Sequence, residues 1–205
     1  MKIFVVSLES LSTRYTCEWL EGVPATLAQW AEQAGRQVEV INIVGESAAH
    51  DTTSGAFVNF AETNRWKGEQ AIRIARLFAN GEVENGDRFL FTDAWNPVVL
   101  QVKYMADLLG IRAGLHGIWH AGQYDPQDFL GRLIEHKGWA RATEEAIFHA
   151  LDRNYFATNF HLELFLKGVF GAGSHDLGRK VALAGQPHEQ MMQHLKMLRM
   201  TNSFN

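Results

Sequence analysis

Two hydrophobic periods take turns along this chain. Residues 2–8, Lys2-Ile3-Phe4-Val5-Val6-Ser7-Leu8, form a short apolar run of the kind expected for a strand buried on both faces. From Pro24 to Ala34 the period changes: Leu27, Trp30, Ala31 and Ala34 recur at helical spacing, with proline in the first turn and Gly35 as the expected C-terminal cap. Residues 38–44 predict a second strand. Residues 45–54 are too rich in Gly, Ser, Thr and Asp to be regular and read as a functional loop. A helix is expected over 65–79 with Ile72, Ala75, Leu77 and Phe78 facing inward, then a third strand over 87–93. Asn96-Pro97 opens the next helix, asparagine as N-cap and proline at the first helical position, and that helix runs to Gly110. The remaining pattern predicts a strand over 113–119, a helix over 144–151, a strand over 154–158, a helix over 160–169, a sixth strand over 180–184 and a closing helix over 189–200.

Strands alternating with helices predict an α/β fold, a Rossmann-like parallel sheet of about six strands with helices on both faces. Residues 1–184 are read as one such domain. Residues 185–205 are read as a carboxy-terminal helix that packs on the domain or on a partner; its Met191, Met192, Leu195, Met197, Leu198 and Met200 suit either adaptable docking or core packing.

Composition narrows the function classes. A chain of 205 residues with 46% hydrophobic and 11% aromatic content can bury a sizeable core. A net charge of -4 gives no general basic field for nucleic acid, although a local patch could still hold a phosphate backbone. A single cysteine, Cys17, cannot form an internal disulfide, and no charged leader followed by an apolar segment opens the chain, so a reducing cytoplasm is expected. No apolar run is long enough to span a membrane, so no membrane partner is expected.

In such folds, ligands bind outside the carboxyl ends of the strands. The loops there are polar: residues 9–16, 92–96 and 120–125. Asp93 is a strand-end carboxylate that suits either a ligand hydroxyl or neighbouring backbone amides. His120 suits proton transfer or a ligand hydrogen bond, because imidazole titrates near neutrality, and equally a structural role. Arg14 and Tyr15 pair a phosphate-matching guanidinium with a flat stacking face, or make a surface contact. Asp125 precedes Pro126 and reads first as a helix N-cap, then as a binding group.

Several motifs are missing. There is no Gly-x-Gly-x-x-Gly after the first strand, no phosphate-binding Gly-x-x-x-x-Gly-Lys-Ser/Thr and no Gly-x-Ser-x-Gly. Dehydrogenase, nucleotide-hydrolase and acyl-enzyme readings therefore have no support. His116 and His120 are expected to point the same way from one strand but lack companions for a metal, so no metal is expected.

Three segments carry a resemblance: 6–16, 91–97 and, above all, 117–128, Gly-Ile-Trp-His-Ala-Gly-Gln-Tyr-Asp-Pro-Gln-Asp. They resemble the amino-terminal half of bacteriophage glycosyltransferase-like proteins of GT-B architecture, over roughly residues 1–184; residues 154–161 look like the strand and helix that close that half. The resemblance implies sugar transfer from a nucleotide sugar, acting as co-substrate with no other cofactor, to an acceptor such as hydroxymethylated phage DNA. It implies that His120 faces the donor sugar and that Glu9, Arg14 and Tyr15 lie on the loop lining the cleft. With the strand-end Asp93, His120 is the catalytic candidate, and Trp95, Asn96, Tyr124 and Asp125 of the other strand-end loops join Glu9, Arg14 and Tyr15 as the substrate-binding candidates. It also implies a donor-binding domain, with three readings open: one that is separately encoded and associates with this one, an isolated acceptor-binding module, or a catalytically dead remnant reused for binding. The location is the host cytoplasm if the gene is phage-borne, with homo-oligomers left open. The alternative is a non-catalytic module that binds a nucleotide, sugar or nucleic acid.

Overall fold

The computed structural model describes residues 1–9, 16–46, 52–54, 56, 58–171, 173 and 180–185. Six strands, β1 (Lys2–Val6), β2 (Glu39–Ile43), β3 (Arg88–Phe91), β4 (Gly114–Ile118), β5 (Arg153–Phe156) and β6 (Val181–Leu183), form one sheet in the order β2-β1-β3-β4-β5-β6. Every pairing is parallel. The helices are α1 (Thr16–Gln33), α2 (Phe60–Ala79), α3 (Val98–Leu108), α4 (Phe129–Leu133), α5 (Lys137–Ala150) and α6 (Asn159–Val169). The expected Rossmann-like α/β architecture is therefore present, and the order is that of the doubly wound sheets in which β1 separates β2 from β3.

The chain leaves β1 in one direction to make β2 and travels the other way for every later strand. Right-handed crossovers then put α1 on one face and α2, α3, α5 and α6 on the other. The core agrees. Phe4, Val6, Phe89, Phe91, Leu115 and Phe156 cluster with Ile74, Val102, Ile147 and Phe165 of the second group of helices. Ile3 and Val5, of opposite parity on β1, are buried too, as are Trp19 and Ala31 of α1. Burial on both faces is why β1 reads as an uninterrupted apolar run. Among the described residues, no helix is long and apolar enough to cross a membrane.

Several boundaries differ from the pattern, each for a local reason. Helix α1 begins at Thr16, so Pro24 lies inside it and not in its first turn. Proline supplies no N–H to the carbonyl four residues earlier, which belongs to Leu20. That carbonyl is instead satisfied by the Asn42 side chain, whose Nδ2 donates to it at 2.9 Å. Helix α2 starts at Phe60, where the Asn59 side chain accepts from the amides of Ala61 and Glu62. Its buried line is Trp66, Gln70, Ile74 and Phe78. Ile72 is exposed, Ala75 likewise, and Leu77 only half-buried, which corrects the inward face read from the sequence. A glutamine at a core position rotates the apparent apolar stripe.

Helix α5 starts seven residues before the expected boundary, with the polar turns that carry Lys137 and Arg141. The helix expected to start from an Asp125 cap is the short α4, and its cap is Asp128, which accepts from Leu130 N, and not Asp125. The closing helix expected over 189–200, and residues 47–51 of the loop over 45–54, lie outside the described residues. Helix α6 is capped by Thr158, whose Oγ1 accepts from His161 N at 3.1 Å. Thr158→Ala is expected to cost about 1 kcal/mol, read as a lower urea midpoint with an unchanged slope.

Candidate functional site

β1 and β3 are neighbours whose chains depart toward opposite edges of the sheet, so the loops after them part and leave a crevice at their carboxyl ends. Its floor is a closed polar network. The Ser7 carbonyl accepts from Trp66 Nε1 at 3.1 Å and from Gln70 Nε2 at 2.6 Å. Gln70 Nε2 also donates to Ile43 O, and Asn96 Nδ2 donates to Gln70 Oε1 at 3.2 Å. Asn96 Oδ1 accepts from Val98 N. Asn96 is thus buried with both ends of its amide bonded inside the protein: it holds the first amide of α3, whose N-cap is Pro97 and not the expected Asn96, and ties that helix to α2.

The loop after β3 is held by charge. Asp93 Oδ1 accepts from Trp95 N at 3.1 Å, and Lys67 Nζ lies 3.5 Å from Asp93 Oδ2 while donating to Trp95 O at 2.6 Å. The Trp95 indole N–H donates to Glu144 Oε1 at 2.8 Å. Glu9, after β1, accepts from Thr63 Oγ1 at 2.6 Å and so joins its loop to α2.

His120 follows the end of β4 and sits beside the β3 loop. Its Nε2 lies 2.7 Å from Thr92 O. A carbonyl can only accept, so Nε2 carries a hydrogen, and Nδ1 is the basic nitrogen of the neutral ring. The ring tilts against Trp19 at a centroid distance of 4.8 Å. The expectation that His116 and His120 point alike from one strand is corrected. His116, on β4, meets Tyr155 OH at 3.0 Å and Arg88 Nη1 at 3.4 Å, and its pKa is lowered by burial and by the charge on Arg88. Among the described residues, no group of three His, Cys, Asp or Glu could hold a metal ion.

Beyond His120 the chain folds over a buried carboxylate. Glu144 of α5 accepts from Gln123 N at 2.7 Å and Gln123 Nε2 at 3.0 Å as well as from Trp95. Burial nevertheless raises its pKa, since desolvation outweighs the donors. Gly122 is required here by close approach, because a Cβ would overlap the Glu144 carboxylate and the Tyr124 ring. Tyr124 OH lies 2.7 Å from His161 Nε2. Burial, then the carboxylates of Glu144, Asp125, Asp128 and Asp93, push the phenol well above its ordinary value, so it stays protonated. His161 is shifted the other way, by burial and then by His120. The phenol therefore donates to His161 Nε2, and the neutral imidazole carries its hydrogen on Nδ1. Asp125 Oδ1 accepts from Gln127 N at 2.8 Å, a turn contact and not a helix cap.

Glu9, Asp93, Trp95, Asn96, His120, Tyr124 and Asp125 all lie on loops at this one edge. Of these, Asn96 and Tyr124 are buried. Arg14 and Tyr15 lie outside the described residues. Sequence reading missed Lys67, Gln70, Asp128, Glu144 and His161. Asp128 and His161 lay inside the segments that carry the resemblance without being singled out, and Gln70 left a trace as a polar residue at i+4 spacing between Trp66 and Ile74. No protein-family model and no curated protein matches the chain.

Proposed function

We propose that this domain is the acceptor-side half of a glycosyltransferase, moving a sugar from a nucleotide sugar held by a donor-binding domain to an acceptor hydroxyl at the carboxyl edge of its sheet. The observation that carries the reading is the setting of His120: its tautomer is held by Thr92 O, next to Asp93, and its charge acts on His161, the partner of Tyr124. The described parts of all three segments that resemble phage glycosyltransferases fall on this edge, in the loops after β1, β3 and β4. In this reading His120 hydrogen-bonds the reacting sugar or takes the acceptor proton, and Asp93 orients a sugar hydroxyl. Hydroxymethylated DNA is one acceptor class to be assayed beside simple glycosides.

The test is nucleotide-sugar turnover by the full chain, alone and with a donor-binding domain, on hydroxymethylated DNA, plain DNA and glycosides. Nucleoside diphosphate release matched by glycosylated product is the expected result. Ligand binding at this edge without release under any combination would replace the transferase by the binding module.

A further inference from the structure

We propose that residues 189–200 of this chain cover the open face of the sheet over β3, β4 and β5, beside α1, a placement that stands apart from the sugar-transfer reading.

All-parallel sheets are covered on both faces. Here α2, α3, α5 and α6 share one face and, among the described residues, α1 is the helix on the other. Register identifies the side chains on the α1 side. Val5 is opposite Leu90, Leu90 opposite His116, Ile118 opposite Tyr155 and Tyr155 opposite Ala182. Val5 is fully buried, but Leu90, Ile118, Tyr155 and Ala182 are only half-buried. On the opposite face of the same strands Phe89, Phe91, Leu115 and Phe156 are buried completely. The strands are thus closed on one side and open on the other, and Trp19 of α1, packed on His120, marks the border of the open area.

The path of the chain selects the occupant. Gly185, with φ at 68°, turns the chain out of β6, and Pro187 has no N–H to extend the strand. Five residues, 184–188, reach about 17 Å when extended. A helix lying about 10 Å above the sheet, over β5 and β4 at about 4.8 Å per strand, is within that reach. The apolar groove between α2 and α3, lined by Ala71, Ala75, Leu100, Tyr104 and Met105, is not. On that face α6 and α5 stand in the way, each taking about 8–10 Å. In sequence, Met191, Leu195 and Leu198 fall at i, i+4 and i+7 with Met192 alongside, an apolar stripe. As a helix, residues 189–200 span about 18 Å. The five residues of β4 span about 17 Å, so the stripe matches the face in length. The connections over 10–15 and 174–179 are too short, since six helical residues span about 9 Å.

Charge is confined to the amino-terminal half of the face, where Arg88, His116 and Arg153 stand with Asp152. A helix descending from the β6 end meets that half with its last turn, the negative end of its dipole, which suits the guanidinium groups. Asp152 is the partner for Arg199, and Lys196 falls outside the stripe.

Cross-linking the full chain with a short bis-maleimide, in a Cys17→Ser background, tests the placement. Ile118→Cys and Leu195→Cys are expected to join within one chain, whereas Tyr104→Cys, in the groove between α2 and α3, should not join Leu195→Cys. Ile118→Cys alone should react with a maleimide at least about tenfold more slowly than exposed Tyr104→Cys, and about tenfold faster once Leu195→Asp and Leu198→Asp are added. No cross-link at Ile118, joining through Tyr104, cross-links only between two chains, or Ile118→Cys labelling as fast as Tyr104→Cys would overturn the proposal. The cross-link places no charge in the core, so it decides even where the aspartate variant fails to fold.

Discussion

Replacing His120 by alanine is expected to lower sugar transfer by about 10²- to 10⁴-fold, the usual contribution of a positioned proton-transfer group. The loss should fall mainly on kcat, because the ring sits at the strand end where chemistry is proposed. Alanine also removes the 2.7 Å contact with Thr92 O and the packing on Trp19, so a second variant is needed. His120→Gln keeps an N–H donor for Thr92 O but has no basic nitrogen. If the glutamine variant transfers sugar at the parental rate, His120 only positions the loop and its assignment to chemistry is wrong. Steady-state kinetics of both variants in the presence of the donor domain make the distinction.

Glu144→Ala is expected to destabilise the fold by about 3 kcal/mol, because it leaves the donors of Trp95 and Gln123 buried without an acceptor. The same side chain predicts a pH dependence. Its folded pKa is raised above the unfolded value, so its contribution is fully present below the ordinary glutamate pKa and is lost as pH rises through the folded one. Asp128, whose pKa is also raised by burial, acts in the same sense. His116 and His161 act in the opposite sense. Their lowered pKa values give stability that is present above the ordinary histidine value and lost as pH falls through the folded ones. The Glu144 part is isolated by subtraction: urea midpoints of the parent and Glu144→Gln, followed from pH 8 to pH 5, should show the parent gaining on the variant as pH falls. A difference independent of pH would mean that the carboxyl titrates normally.

Much of the scaffold was legible because it depends on neighbours in sequence. β1 is apolar throughout because both of its faces are covered, and β3 shows Phe89 and Phe91 buried with Arg88 exposed. Helix ends were less legible. Thr16 and Trp19 are buried by contacts the local pattern does not contain, and the proline inside α1 is tolerated because Asn42, on β2, reaches its orphaned carbonyl. Asp125 and Asp128 are both plausible caps when read locally; only the path of the chain after β4 assigns that role to Asp128.

The candidate edge divides the same way. Asp93, His120 and the loops around them were found from sequence alone, because parallel strands deliver their carboxyl ends to one side and polar residues stand there. Local periodicity determined that the chain makes strands and helices in alternation and which loops share an edge. Tertiary structure decided what those loops can do: that Asn96 is spent on Gln70 and Val98, that Glu144 binds two loops from a third element, and that Trp139 stands against Trp95. The reason is separation along the chain. Glu144 and Trp95 are 49 positions apart, and Tyr124 and His161 are 37 apart, so only packing brings their atoms within hydrogen-bonding range and sets their charge.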